Sequence, residues 1–127
     1  EMIWRASESL GPAAQVFTGA FYGGYGPPSN FCWDVYCNDD PIVDDKRLEG
    51  VNVQDRINLF VNETLTQAEV AATNNIMLTM GSDFQHEYSL EWYRNLDKLI
   101  HYANLDGRVN VLYSTPSEYV AAVHAAN

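Results

Sequence analysis

Hydrophobic positions recur at helical spacing twice in the second half of the chain. Val53, Ile57, Phe60, Val61, Leu65, Ala68 and Ala72 form one stripe, with Asn52 placed as its N-cap. Asp55, Asn58, Asn62 and Glu69 fall on the opposite, solvent-facing side. Ile76-Met77-Leu78-Thr79-Met80 follows, an apolar run of strand length, and Gly81-Ser82-Asp83 breaks it. Trp92, Tyr93, Leu96, Leu99, Ile100 and Ala103 mark a second helix, which ends before Gly107 at a C′ position. Val109 to Tyr113 reads as another buried strand. It runs into Thr115-Pro116-Ser117-Glu118, where Thr115 and Glu118 have capping-box spacing and Pro116 suits the first helical position.

The order helix, strand, helix, strand, helix over residues 51–127 predicts an α/β fold with parallel strands joined by right-handed crossovers. Sites in such folds collect at the carboxyl ends of strands, which here means Gly81-Ser82-Asp83 and Ser114-Thr115-Pro116. Residues 1–50 are irregular, apart from a short strand expected from Met2 to Ala6. They carry turn signals at Gly23-Gly24, Gly26-Pro27-Pro28 and Asn38-Asp39-Asp40-Pro41. Phe17, Phe21, Tyr22 and Tyr25 among them predict a packed loop rather than a linker. The start at Glu1, which is no initiator, and the stop within a helical stretch at Ala125-Ala126-Asn127 read as the ends of a fragment.

Composition narrows the class. The 127 residues are 46% hydrophobic and 13% aromatic, enough for a folded core. Seventeen acidic against seven basic side chains give a formal charge of −10, which disfavours nucleic acid and anionic membrane surfaces as partners. No apolar run reaches the roughly 18–20 residues that span a bilayer. Cys32 and Cys37, separated by four residues in a turn-rich segment, are either a small disulfide loop or two free thiols. The sequon Asn62-Glu63-Thr64, on the wet face of the first helix, tips the reading toward a secreted, lysosomal or vacuolar setting.

Asp83 is the leading candidate for chemistry. It lies past an apolar run, after a glycine that lets the backbone turn, beside Phe84, which could keep it partly dry. A carboxyl so placed can be held protonated, as a general acid requires. The blander alternative, favoured by the pattern alone, is an aspartate capping the following helix. Asp83, His86 and Glu87 hint at a metal site, but no convincing third ligand accompanies them. His101 and His124 read as helix-face residues. Ser114 follows a predicted strand without the GxSxG elbow, and there is no phosphate loop or dinucleotide fingerprint. Trp4, Trp33 and Trp92 either stack on sugar rings or serve packing, and packing is the plainer reading.

Three strings together resemble the lysosomal and vacuolar class of α-mannosidases, the retaining zinc glycosidases of glycoside hydrolase family 38. They are YGPPSNFCWDVYC (Tyr25 to Cys37), TMGSDFQHEY (Thr79 to Tyr88) and NLDKLIHYANLDGRVNVLYSTPSEY (Asn95 to Tyr119). The WRAS segment, Trp4 to Ser7, is similar to the stretch that follows the first half of that family's catalytic domain. The resemblance implies that residues 1–127 are a segment of a seven-stranded α/β barrel with parallel strands and crossover helices. Residues 1–50 would be its loop-rich part and 51–127 its regular part.

By that resemblance, Asp83 is the general acid/base and Tyr25 contacts sugar. Cys32 and Cys37 match a short-range disulfide, and Ser82 stands where Golgi relatives have a second aspartate. The implied activity is retaining hydrolysis of terminal α-linked mannose from N-glycan oligosaccharides. Zn2+ is the implied cofactor, bound by two histidines and two aspartates in motifs absent from this sequence, one of those aspartates being the nucleophile. No metal ligand is therefore assigned to this chain. The expected partners are the oligosaccharide and the remaining segments of the same enzyme, with a homo-oligomer left open. Two alternatives remain: a non-catalytic carbohydrate-binding or storage relative of the same fold, and a stand-alone α/β domain without a site.

Overall fold

Two amphipathic helices and one aromatic loop build the core. The computed structural model describes residues 2–37 and 39–126. Glu1, Asn127 and Asn38 of the predicted turn signal lie outside the described residues. Helix α1, Val53–Ala68, turns Ile57, Phe60 and Val61 inward. Helix α2, Ser89–Asp106, turns Trp92, Leu96, Leu99 and Ala103 inward, and the two helices pack together. The loop that precedes α1 drives Phe31, Trp33 and Ile42 into the same core. Phe31 meets Trp33 and Phe60 edge-on at 5.8 and 5.5 Å, and Trp33 meets Trp92 at 6.1 Å. Such side chains contribute about 1.5–3 kcal/mol each when fully buried.

The polar ties to this loop explain why it stays inserted. Asn95, buried on α2, accepts a hydrogen bond from the Ile42 amide at 2.7 Å and donates to the Glu91 carbonyl. Arg56, buried on α1, lays its guanidinium 4.6 Å from the Phe31 ring centroid and donates to the Asn30 carbonyl. Burial lowers the Arg56 pKa, an effect opposed by Asp40 and Asp39. Asn52 precedes α1 as predicted, but its side chain bonds Val43 N and Pro41 O instead of capping the helix.

Both predicted helix boundaries around Gly107 and Pro116 hold. Gly107 adopts φ +81° and its amide donates to Ala103 O, a left-handed C-cap that suits glycine. Helix α3, Pro116–Ala126, starts with a reciprocal capping box. Glu118 N donates to Thr115 Oγ1 at 3.3 Å, and Thr115 N donates to Glu118 Oε2 at 2.7 Å.

The sheet overturns the expected fold class. Among the described residues the only strands are β1, Met2–Arg5, and β2, Gln15–Thr18, which pair antiparallel with Ile3 opposite Phe17 and Trp4 opposite Val16. Residues 76–80 and 109–113 form no strand, so this is a small domain of two antiparallel strands and three helices, not a parallel seven-stranded α/β barrel segment. Side chains occupy several of the backbone groups a ladder would need. Asn104 takes both the Val111 N–H and its carbonyl, each at 2.8 Å, while the Met77 carbonyl accepts from Gln67 and the Met80 carbonyl from His86. Leu78, Met80, Val109 and Val111 instead pack half-buried against the helical core. A short apolar run signals burial without specifying a sheet.

A second correction concerns the first half. Phe17, Phe21, Tyr22 and Tyr25 are all exposed rather than packed, as are Ile3 and Trp4 on the hairpin. The core contribution comes from Phe31 and Trp33 instead.

Asp44 fastens the loop to α2. Its carboxylate accepts from Lys98 Nζ at 2.7 Å and from the Tyr102 hydroxyl at 3.2 Å, and the Lys98 bond is the main cause holding its pKa below the usual 3.8. The folded value lies below the unfolded one, so this stabilisation is full above the unfolded value and is lost as pH falls through the folded value. Thermal midpoints of the complete polypeptide, followed from about pH 6 to pH 3, will fall less steeply for Asp44→Asn than for the wild type. Parallel curves would show that the contact contributes no pH dependence.

Candidate active site

The residues that carry chemistry sit on two loops that the helical core brings together. The first is the Gly- and Pro-rich segment around Tyr25, and the second is the turn over residues 81–88 that leads into α2. The Tyr25 hydroxyl donates to Asp83 Oδ2 at 3.3 Å, across 58 residues of sequence. Next to Tyr25, the Gly26 carbonyl accepts from Thr79 Oγ1 at 2.8 Å, four residues before Asp83, a second tie between the two segments. Tyr25 and Asp83 are both exposed, Tyr25 by 59%.

Asp83 does not cap a helix. Helix α2 begins at Ser89 with Tyr88 as its N-terminal flanking residue, whereas Asp83 heads a turn closed by Gln85 N donating to Ser82 O at 3.1 Å. Nor does Phe84 shelter it, since that ring is 77% exposed. Phe84 and His86 take positive φ, +61° and +69°. Such conformations cost non-glycine residues about 1–3 kcal/mol and persist only where the surroundings enforce them.

His86 supplies the enforcement. Its ring stacks on Trp92 with centroids 4.7 Å apart, and its Nε2 lies 2.8 Å from the Met80 carbonyl, which can only accept, so Nε2 carries the hydrogen. Its backbone amide donates to Asp34 Oδ2 at 3.3 Å, and Trp92 Nε1 donates to the same oxygen at 2.9 Å. The Trp92 bond is the largest cause holding the Asp34 carboxyl below the usual aspartate range. Asp34 lies in the loop closed by Cys32 and Cys37, which form a disulfide with Cα atoms 5.6 Å apart. Gln85 Nε2 donates to Cys32 Sγ at 3.3 Å and contacts Cys37 Sγ at 3.6 Å, joining the disulfide to the turn.

Other sequence candidates fall elsewhere. His86 is committed to Trp92 and Met80, and among the described residues no group of three or more His, Cys, Asp or Glu side chains could hold a metal ion. Ser114 contacts Thr115 and Glu118 within the capping box. Trp33 and Trp92 are core residues and Trp4 is exposed on β1. His101 and His124 lie exposed on α2 and α3, and Asn62 is exposed on α1. A groove of about 760 Å³ runs past Phe21, Leu78, Gly81, His86, Val111 and Tyr119, and neither Tyr25 nor Asp83 lines it. Sequence reasoning missed Asp34, His86 and Gln85 as site architecture. The available signal was the single charge between two cysteines and two aromatics in Cys32-Trp33-Asp34-Val35-Tyr36-Cys37.

The chain matches the family described as Glycosyl hydrolases family 38 N-terminal domain over residues 1–127, and it belongs to that family. It is 50% identical over 127 residues to an alpha-mannosidase of Canavalia ensiformis, covering 100% of this chain and 13% of that protein. It is 53% identical over 128 residues to a probable alpha-mannosidase of Arabidopsis thaliana, covering 100% of this chain and 12% of that one. With the lysosomal alpha-mannosidase of Homo sapiens it shares 45% over 132 residues, 100% of this chain and 13% of that protein. The chain therefore spans only a small part of the relatives it matches. No helix among the described residues is long and apolar enough to cross a membrane.

Gly81 is the tightest point of the turn. At φ +146° a Cβ there would stand 3.1 Å from both Cδ2 and Nε2 of His86. In the complete polypeptide, Gly81→Ala will lower thermal stability by about 1–3 kcal/mol through backbone strain and displacement of the His86 ring. An unchanged melting midpoint would show that the turn adapts freely.

Proposed function

We propose that this chain is the part of a retaining α-mannosidase that contributes the general acid/base, Asp83, and a substrate-contacting residue, Tyr25. The observation that carries the reading is the Tyr25–Asp83 contact, which joins two loops 58 residues apart at an exposed face. Membership of family 38 and relatives named alpha-mannosidases supply the reaction class.

In this reading the substrate is a terminal α-linked mannose of an N-glycan. Asp83 gives a proton to the departing glycosidic oxygen while a carboxylate from elsewhere in the polypeptide attacks the anomeric carbon. Asp83 then takes a proton from the water that releases the sugar, so configuration is retained. The two carboxyls must stand roughly 5–5.5 Å apart. The Tyr25 hydroxyl donates to one Asp83 oxygen, which supports a role for Tyr25 in orienting the carboxyl. The described residues gather no donor set that fits zinc; on this reading the ion would be held by residues elsewhere in the polypeptide, as the family resemblance implies.

The test is Asp83→Asn in the complete enzyme. Turnover of a natural mannoside will fall by about 10²–10⁴-fold, and that of an activated aryl mannoside by less, because a good leaving group needs little protonation. Natural-substrate turnover near wild type would end the acid/base assignment.

Relatives named lysosomal alpha-mannosidase support a lysosomal or vacuolar setting, as does the disulfide. Exposed Asn62 is proposed to carry an N-glycan there. Asn62→Gln will abolish one endoglycosidase-sensitive mass step of the secreted protein, and an identical glycosylation pattern would refute the assignment.

A further inference from the structure

We propose that Asp34 is a positioning residue for Asp83, acting through Trp92 and the His86 backbone to hold the acid/base turn in its strained shape. The inference rests on the acid/base reading of Asp83 and names a group to which neither the family match nor the relatives' names assign a role.

Three contacts close on one another. Asp34 Oδ2 receives Trp92 Nε1–H at 2.9 Å and His86 N–H at 3.3 Å, and the His86 and Trp92 rings stack at 4.7 Å. Trp92 has no solvent exposure and stands on α2, so it is the fixed member of the triangle. His86 is the member on the turn, three residues beyond Asp83, with positive φ at Phe84 and at His86 itself. A strained turn relaxes when its restraint weakens. The restraint here is one carboxylate oxygen shared by two donors, and hydrogen bonds to an ionised acceptor are about twice as strong as neutral ones. The lowered pKa of Asp34 keeps that acceptor ionised.

The anchor of Asp34 is itself stiff. Its carbonyl accepts from Cys37 N at 3.0 Å within the disulfide loop, and Asp39 Oδ2 holds the Cys32 amide at 2.9 Å. Gln85, between the two positive-φ residues, reaches both sulfurs. The disulfide loop thus grips the turn from one side while Trp92 grips it from the other. Tyr25 meets Asp83 at the top of the same turn, and a shift of the backbone there moves the carboxylate away from the tyrosine hydroxyl.

A misplacement of about 1 Å in a reacting group can cost 10²-fold in rate. In the complete enzyme, Asp34→Asn will therefore lower kcat on a natural mannoside by about tenfold to a hundredfold. The loss on an activated aryl mannoside will be much smaller, and KM will change little for either. A merely structural role predicts the same loss on both substrates, in proportion to the folded fraction, and that result overturns the inference. Asp83→Asn is run beside it. If Asp83→Asn shows the substrate split and Asp34→Asn does not, the positioning role fails and the acid/base reading stands. If Asp83→Asn shows no split, the acid/base reading fails and this inference with it. Should Asp34→Asn not accumulate as folded protein, Asp34→Glu keeps the charge and offsets it by one methylene. It will show the same split at smaller size, and equal losses on both substrates overturn the inference.

Discussion

Trp92 is the side chain on which both halves of this structure depend. Its edge meets Trp33 in the core, its face carries the His86 ring, and its indole N–H ends on Asp34. A buried tryptophan needs a partner for its N–H, and here that partner is a carboxylate on the disulfide loop. The same requirement therefore docks the loop, charges the acceptor and places a second donor, the His86 amide, beside it. Core packing and site geometry are one set of contacts rather than a scaffold with a site added.

The helices were legible in the sequence because their signals are local. A stripe at helical spacing, a glycine that must take positive φ and a reciprocal Thr–Glu cap each depend on neighbours within four residues. The strands were legible only in part: the short strand expected from Met2 to Ala6 is β1, Met2–Arg5, but the two expected buried strands are absent among the described residues. Ile76 to Met80 and Val109 to Tyr113 look like buried strands by composition, yet a strand is defined by what pairs with it. Asn104 satisfies Val111 from seven residues away, a competition that hydrophobic patterning does not register. Conversely, β2 is a short strand with exposed apolar side chains, and four residues with no buried face give only a weak strand signal.

The site shows the same division. Asp83 stood out from its place after an apolar run and a glycine, although neither the capping nor the Phe84 shelter weighed for it describes its surroundings. Tyr25 was reachable only through family resemblance, because its partner is 58 residues away. Asp34 was overlooked because a lone aspartate in a turn ordinarily signals solvent. What marks it is its donors, two groups brought to it by tertiary packing.

The acidic balance of the chain takes on meaning beside these contacts. Asp34, Asp44, Asp106 and Glu118 all sit below their usual pKa, each with a hydrogen bond as the leading cause. Carboxylates so held stay ionised into mild acid, so the loop clasp and the α3 cap persist where an unpaired carboxylate would begin to protonate. The exposed face points the other way. Phe21, Tyr22, Tyr25 and Phe84 are all at least half exposed, Phe21 at the edge of the groove. On the proposed reading this exposed apolar surface is where the rest of the polypeptide packs, since the chain spans only a small part of the relatives it matches. The division of labour on that reading follows: the contacts among Asp34, Trp92 and His86 hold the acid/base turn in shape, and the dry enclosure that glycoside protonation requires is left for the rest of the polypeptide to supply.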